Sequence, residues 1–113
     1  MPLYMSQFSY TAEAWAALTQ NPEDRSEALR GLAESMGARL VSFHYSFGDY
    51  DGVIMVEAPD EKAVAAIILA AVSAGHVKAI KTTTLLTVED AMEVFRRAGN
   101  VTYRAPTAVV ANR

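Results

Sequence analysis

A chain of 113 residues that is 51% hydrophobic and 20% charged is sized for one domain with its own core, and is too apolar to be disordered. It has no cysteine, which excludes disulfides, thiol catalysis and cysteine metal sites. A formal charge of −3 gives no electrostatic support to nucleic-acid binding.

The N-terminus lacks the basic-then-apolar pattern of a signal peptide. The longest apolar run, Ala63 to Ala74 broken only by Ser73, is too short to span a bilayer. Together these give the expectation of a soluble, cytoplasmic protein.

Leu3 to Tyr10 alternates aromatic and apolar residues with Ser6, Gln7 and Ser9, which predicts a first strand. Thr11 can cap a short helix through Trp15 and Leu18. Asn21-Pro22-Glu23-Asp24 reads as a second helix start, with Asn21 as cap, proline in the first turn and two acids at the positive end of the dipole. That helix carries Leu29, Leu32, Ala33 and Met36 at helical spacing and stops at Gly37.

In Arg39 to Phe47, the residues Val41, Phe43, Tyr45 and Phe47 alternate with Leu40, Ser42, His44 and Ser46, a period of two that predicts a second strand. Gly48-Asp49-Tyr50-Asp51-Gly52 follows, and its two glycines are expected to supply positive-φ positions. Val53 to Ala58 is a short apolar third strand closed by Pro59. Pro59-Asp60 opens another helix. Because Ala63 to Val72 is apolar nearly all round, this helix should be covered on more than one side. Gly75 ends it.

His76 to Leu86, with the triplet Thr82-Thr83-Thr84, favours a fourth strand. Thr87 with Asp90 three residues on resembles a capping box, and the helix it opens runs through Met92, Val94 and Phe95 to Gly99. The tail from Val101 to Arg113, with Pro106 and the apolar run Ala108 to Ala111, can pair with a sheet edge or lie loose.

The order is β-α-β-β-α-β plus a terminal helix, an α+β, ferredoxin-like arrangement with both main helices on one face of a four-stranded antiparallel sheet. Residues 1–99 form the domain and 100–113 a tail that can pack on a partner subunit. Both alternation sets hold apolar residues, Leu3 and Met5 against Tyr4 and Phe8, and Val53 and Met55 against Ile54 and Val56. A sheet apolar on both faces needs a second cover, and another copy's sheet supplies one, which predicts a homodimer at least.

The stretch Gly48-Asp49-Tyr50-Asp51, with Leu40-Val41-Ser42-Phe43 before it and Val53-Ile54-Met55-Val56-Glu57-Ala58-Pro59-Asp60 after it, resembles the GYD-domain family over roughly residues 3 to 96. The resemblance implies the dimeric α/β-barrel architecture and no settled activity. His76 stands where an asparagine is more usual among relatives, and the tail from Val101 lies outside the family core.

The candidate ligand-binding residues are Trp15, His44, Tyr45, Asp49, Tyr50, Asp51, His76 and Lys81. His44 has the pKa range of a general base or metal ligand, against the plainer reading of a half-exposed strand histidine. A metal site would need His44, His76 and Asp49 or Asp51 to converge, and without short-spacing ligand motifs no metal or other cofactor is expected. Trp15, Tyr4, Tyr10, Tyr45 and Met55 can line an apolar pocket or simply fill the core. Lys81, amid apolar residues and threonines of its strand, can face an anion or reach to water. Tyr50 either borders a pocket or caps the sheet end.

The chain contains no GxGxxG, P-loop or GxSxG pattern. The sequence therefore favours a small-molecule-binding homo-oligomer without established catalysis, taking a small apolar or aromatic ligand. The alternatives are a cofactor-independent monooxygenase-like enzyme acting on an aromatic or carbonyl compound, and a structural or interaction module. Neither a membrane nor a nucleic acid is an expected partner.

Overall fold

The computed structural model describes residues 1–107. Strands β1 (Leu3–Tyr10), β2 (Arg39–Tyr45), β3 (Gly52–Glu57) and β4 (Val77–Leu85) form one sheet in the order β2-β3-β1-β4, and every neighbouring pair is antiparallel. Helices α1 (Ala12–Gln20), α2 (Arg25–Ser35) and α3 (Glu61–Ser73) connect them, and α4 (Val88–Gly99) follows β4. This is the ferredoxin-like α+β architecture. The apolar run of the tail, Ala108 to Ala111, lies outside the described residues.

Register sorts the side chains. Tyr4, Ser6, Phe8 and Tyr10 of β1 sit opposite Val56, Ile54 and Gly52 of β3 and Thr84, Thr82, Ile80 and Val77 of β4. These residues face the helices, and Tyr4, Phe8, Tyr10, Ile54 and Val56 pack with Leu40, Ala33, Val64 and Ile67 as the core. Each large side chain buried there contributes about 1.5–3 kcal/mol. Ser6, the polar intruder, meets Thr82 across the strands with their hydroxyls 2.8 Å apart, so its burial leaves no unmatched group.

The other face is open. It carries the rows His44–Val53–Gln7–Lys81 and Ser42–Met55–Met5–Thr83, with Leu3 and Leu85 at one end. Arg39 and Glu57 pair across strands at that same end.

A register shift between Leu40 and Ser42 breaks the simple alternation of β2. Leu40 therefore shares the helix-facing side with Phe43 and Tyr45, while Val41 is exposed. A β-bulge does this by inserting one residue on one strand only. The strand also ends at Tyr45 and not at Phe47.

Helix starts follow side-chain capping. Thr11, Asp24, Asp60 and Thr87 each accept a bond from a first-turn amide. The cap of α2 is thus Asp24, and Asn21 instead ends α1 by donating its amide to the Ala17 carbonyl. Pro22 and Glu23 form the link between the two helices.

In α3, Val64 and Ile67 are buried, whereas Leu69 stays exposed, so the described residues cover only one side of this apolar helix. Helix α4 buries none of its residues, and Val88, Met92 and Phe95 are all exposed. The radius of gyration is 19.0 Å. A compact domain of this length has roughly 13 Å. The longest dimension is 62 Å.

Candidate functional site

The Gly48 to Gly52 turn is organised by Asp51. Its Oδ2 accepts the Tyr10 backbone N–H at 2.9 Å and the Trp15 indole N–H at 3.1 Å. Its own amide donates to the Phe8 carbonyl at 2.8 Å, and its carbonyl accepts from Ser46 at 2.9 Å. One residue thereby pins the turn to the end of β1 and to α1.

Gly52 is required for a different reason than backbone freedom. A Cβ there would lie 2.4 Å from Phe8 Cζ, because the Phe8 ring lies over the glycine on the neighbouring strand. Neither Gly48 nor Gly52 has positive φ. The left-handed residue near the turn is Phe47, at φ 52°, and the left-handed glycines are Gly37 and Gly75, which terminate α2 and α3. The turn bonds Ser46 and Gly48 to the Tyr50 carbonyl and so needs no left-handed glycine of its own.

A cleft of about 610 Å³ opens between the sheet and α1–α3. Its floor is Phe8, Phe43, Ile54 and Ile80, and Leu29 and Leu32 of α2 form one wall. Where the helices overlook the floor they present Ala14, Ala17, Ala28, Ala70 and Ala71, and these short side chains leave the space unfilled. The polar lining residues are Tyr10, Gln20, Asn21, Glu23, Arg25 and His76. Arg25 and Glu23 pair at 3.3 Å with both side chains substantially exposed.

Burial, then the hydrogen bond with Tyr45, pushes the Tyr10 phenol well above the usual tyrosine range, with a weaker opposing pull from Arg25. The Tyr10 and Tyr45 hydroxyls are 3.4 Å apart. Tyr10 thus stays a neutral phenol at ordinary pH.

A second, smaller hollow of about 160 Å³ adjoins it, lined by Trp15, Leu18, Pro22, Glu23, Tyr45 and Phe47. Here Tyr45 stacks on Phe47 with ring centroids 6.0 Å apart, and Trp15 lies 5.8 Å from Phe47.

The eight candidates fall into separate places. Trp15, Tyr45 and Asp51 come together at the turn end of the sheet, and His76 lines the large cleft. Tyr50 is half-buried and Asp49 exposed. His44 and Lys81 lie in one row of the open face, turned away from the cleft, as is Met55. Tyr4 is in the core beyond the cleft. Among the described residues no three histidine or carboxylate side chains group as metal ligands.

Sequence reasoning passed over Arg25 and the cleft floor. The signal for them is the alanine-rich inner face of three helices opposite large strand side chains.

A family model, the GYD domain, matches residues 4–95, which include the whole of β2, β3 and β4, nearly all of β1, and the Asp51 turn. The chain belongs to the GYD domain family.

A relative from Thermus thermophilus is 35% identical over 78 residues, or 69% of this chain and 82% of its own length, and is named a glutamine synthetase and cystathionine beta-lyase binding protein. Among solved structures, TTHA0845, also from Thermus thermophilus, superposes with a TM-score of 0.51 at 15% identity, covering 77% of this chain and 95% of that one. MtbAldR gives a TM-score of 0.50 at 12% identity over 76% of this chain. This GYD protein spans about half of MtbAldR, 52% of its length. At these identities the two structures share its fold. No helix among the described residues is long and apolar enough to cross a membrane.

Proposed function

We propose that this GYD protein is a non-catalytic binding protein whose sheet–helix cleft takes one small apolar or aromatic molecule, and that it works as a homo-oligomer. The cleft carries the reading. Its volume, about 610 Å³, is in the range of small-molecule sites, and its largely apolar lining with a few polar groups matches their usual make-up. The open face, with Met5, Met55, Val53, Leu3 and Leu85 half-buried, supports pairing with a second sheet.

The monooxygenase-like alternative needs His44, or Tyr45 with Trp15, at a cavity; His44 is on the sheet face away from the cleft, and Tyr45 and Trp15 line only the hollow of about 160 Å³. That geometry favours binding over catalysis.

Native mass spectrometry of freshly purified protein tests this. A dimer, or a multiple of it, carrying added mass of a few hundred daltons per subunit supports the reading. A bare monomer that takes up no apolar probe counts against it.

A second reading has its own observation. The relative is named for binding two enzymes, and α4 presents Val88, Met92 and Phe95 uncovered. In this reading α4 docks on a partner protein. Phe95→Glu then abolishes capture of that partner with little change in melting temperature, because the side chain is 64% exposed.

A further inference from the structure

We propose that the cleft selects a molecule with an aromatic or branched apolar body and one carboxylate, recognised by Arg25 and the Tyr10 hydroxyl. The inference rests on the cleft being a small-molecule site, and it adds the chemistry of the ligand.

The polar groups of the cleft are few. Phe8, Phe43, Ile54 and Ile80 offer a ligand's buried end nothing to hydrogen-bond. Charge enters through Glu23 and Arg25 alone among the described lining residues that are ionised at neutral pH, and His76 is the remaining titratable group besides Tyr10. The nearby Asp51 carboxylate already accepts from Tyr10 and Trp15 with the oxygen nearest them.

Of the two charges, Arg25 is the more sheltered, with 41% of its side chain exposed against 60% for Glu23. An exposed pair of this kind is weakly held and readily exchanged. A ligand carboxylate can take the place of Glu23, receive two parallel N–H bonds from the planar guanidinium, and release Glu23 to water. A cationic ligand would instead pull Glu23 inward and leave Arg25 without a partner. The Tyr10 hydroxyl is the second donor. Its 3.4 Å separation from Tyr45 is long for a bond between hydroxyls, so its proton can turn to a better acceptor.

The test is calorimetric titration of the full chain with naphthylacetate, naphthylacetamide and naphthylethylamine, which share a ring system and differ in charge. The acid is expected to bind about tenfold tighter than the amide, the scale of one charge-assisted hydrogen-bonding site. Arg25→Gln is expected to bring the acid down to the amide while leaving the amide unchanged, and Glu23→Gln to tighten the acid. Tyr10→Phe should weaken the acid selectively. Circular dichroism melts show that each variant is folded, and Arg25 and Glu23 are exposed enough to be replaced without loss of packing. Equal binding of all three probes, or tightest binding of the amine, overturns the carboxylate preference but leaves the cleft as a site. Failure of every probe to bind overturns both.

Discussion

Asp51 and Gly52 explain why the turn has the composition it has. Removing the Asp51 carboxylate leaves the Tyr10 amide and the Trp15 indole without their acceptor. Asp51→Ala should therefore cost roughly 2–4 kcal/mol in urea unfolding, with Trp15 fluorescence shifting toward that of a hydrated indole. Gly52→Ala drives a methyl into the Phe8 ring and should cost about 1–3 kcal/mol, with partial recovery when Phe8→Leu makes room.

Tyr10 gives a pH signature. Its folded-state pKa is raised by burial and by Tyr45, so its contribution to stability is complete below the unfolded tyrosine value and is lost as pH climbs above it. Ultraviolet titration of the native protein should show a phenol that ionises later than ordinary tyrosine, and Tyr10→Phe should remove that component. Asp24 behaves in the opposite sense. Its bonds from Ser26 lower its pKa, so its support of α2 is present above the unfolded aspartate value and fades as pH falls through the folded one.

At the level of elements, the strands are legible in the sequence because their alternation reports burial directly. The bulge in β2 is not. An inserted residue at Val41 leaves the local composition unchanged while swapping the faces of everything on one side of it. That is why the face of His44 can be read only from the register with Val53. The cap of α2 escapes the sequence for a related reason. Asn21 and Asp24 are both cap residues, and only the placement of Ser26 decides between them.

The large cleft is half legible. The aromatic strand residues and the alanine-rich helices are visible in the sequence, but whether small residues close on a sheet or stand off it depends on helix placement. The open face yields an element-scale prediction. Met55→Lys at its centre should leave the thermal unfolding of the isolated subunit within about 0.5 kcal/mol, while sedimentation velocity shows the oligomer shifted toward monomer.

As a whole molecule, this GYD protein leaves three apolar surfaces uncovered by the described part of its own chain: the outer face of the sheet, the outer side of α3 at Leu69, and the stripe of α4 through Phe95. Neither the partner nor the ligand can be spelled out in the sequence, because both are defined by complementarity to something outside it. What the fold supplies is a place, the cleft behind the sheet, with an apolar floor and the Arg25 cation in its lining. The most direct measurement of that claim is heteronuclear NMR of the labelled protein titrated with naphthylacetate. The account predicts shift changes centred on Ile54, Ile80, Leu29 and Leu32, with Met55 and Phe95 unmoved. Shifts confined to the open face or to α4, or none at all at saturating probe, would contradict it.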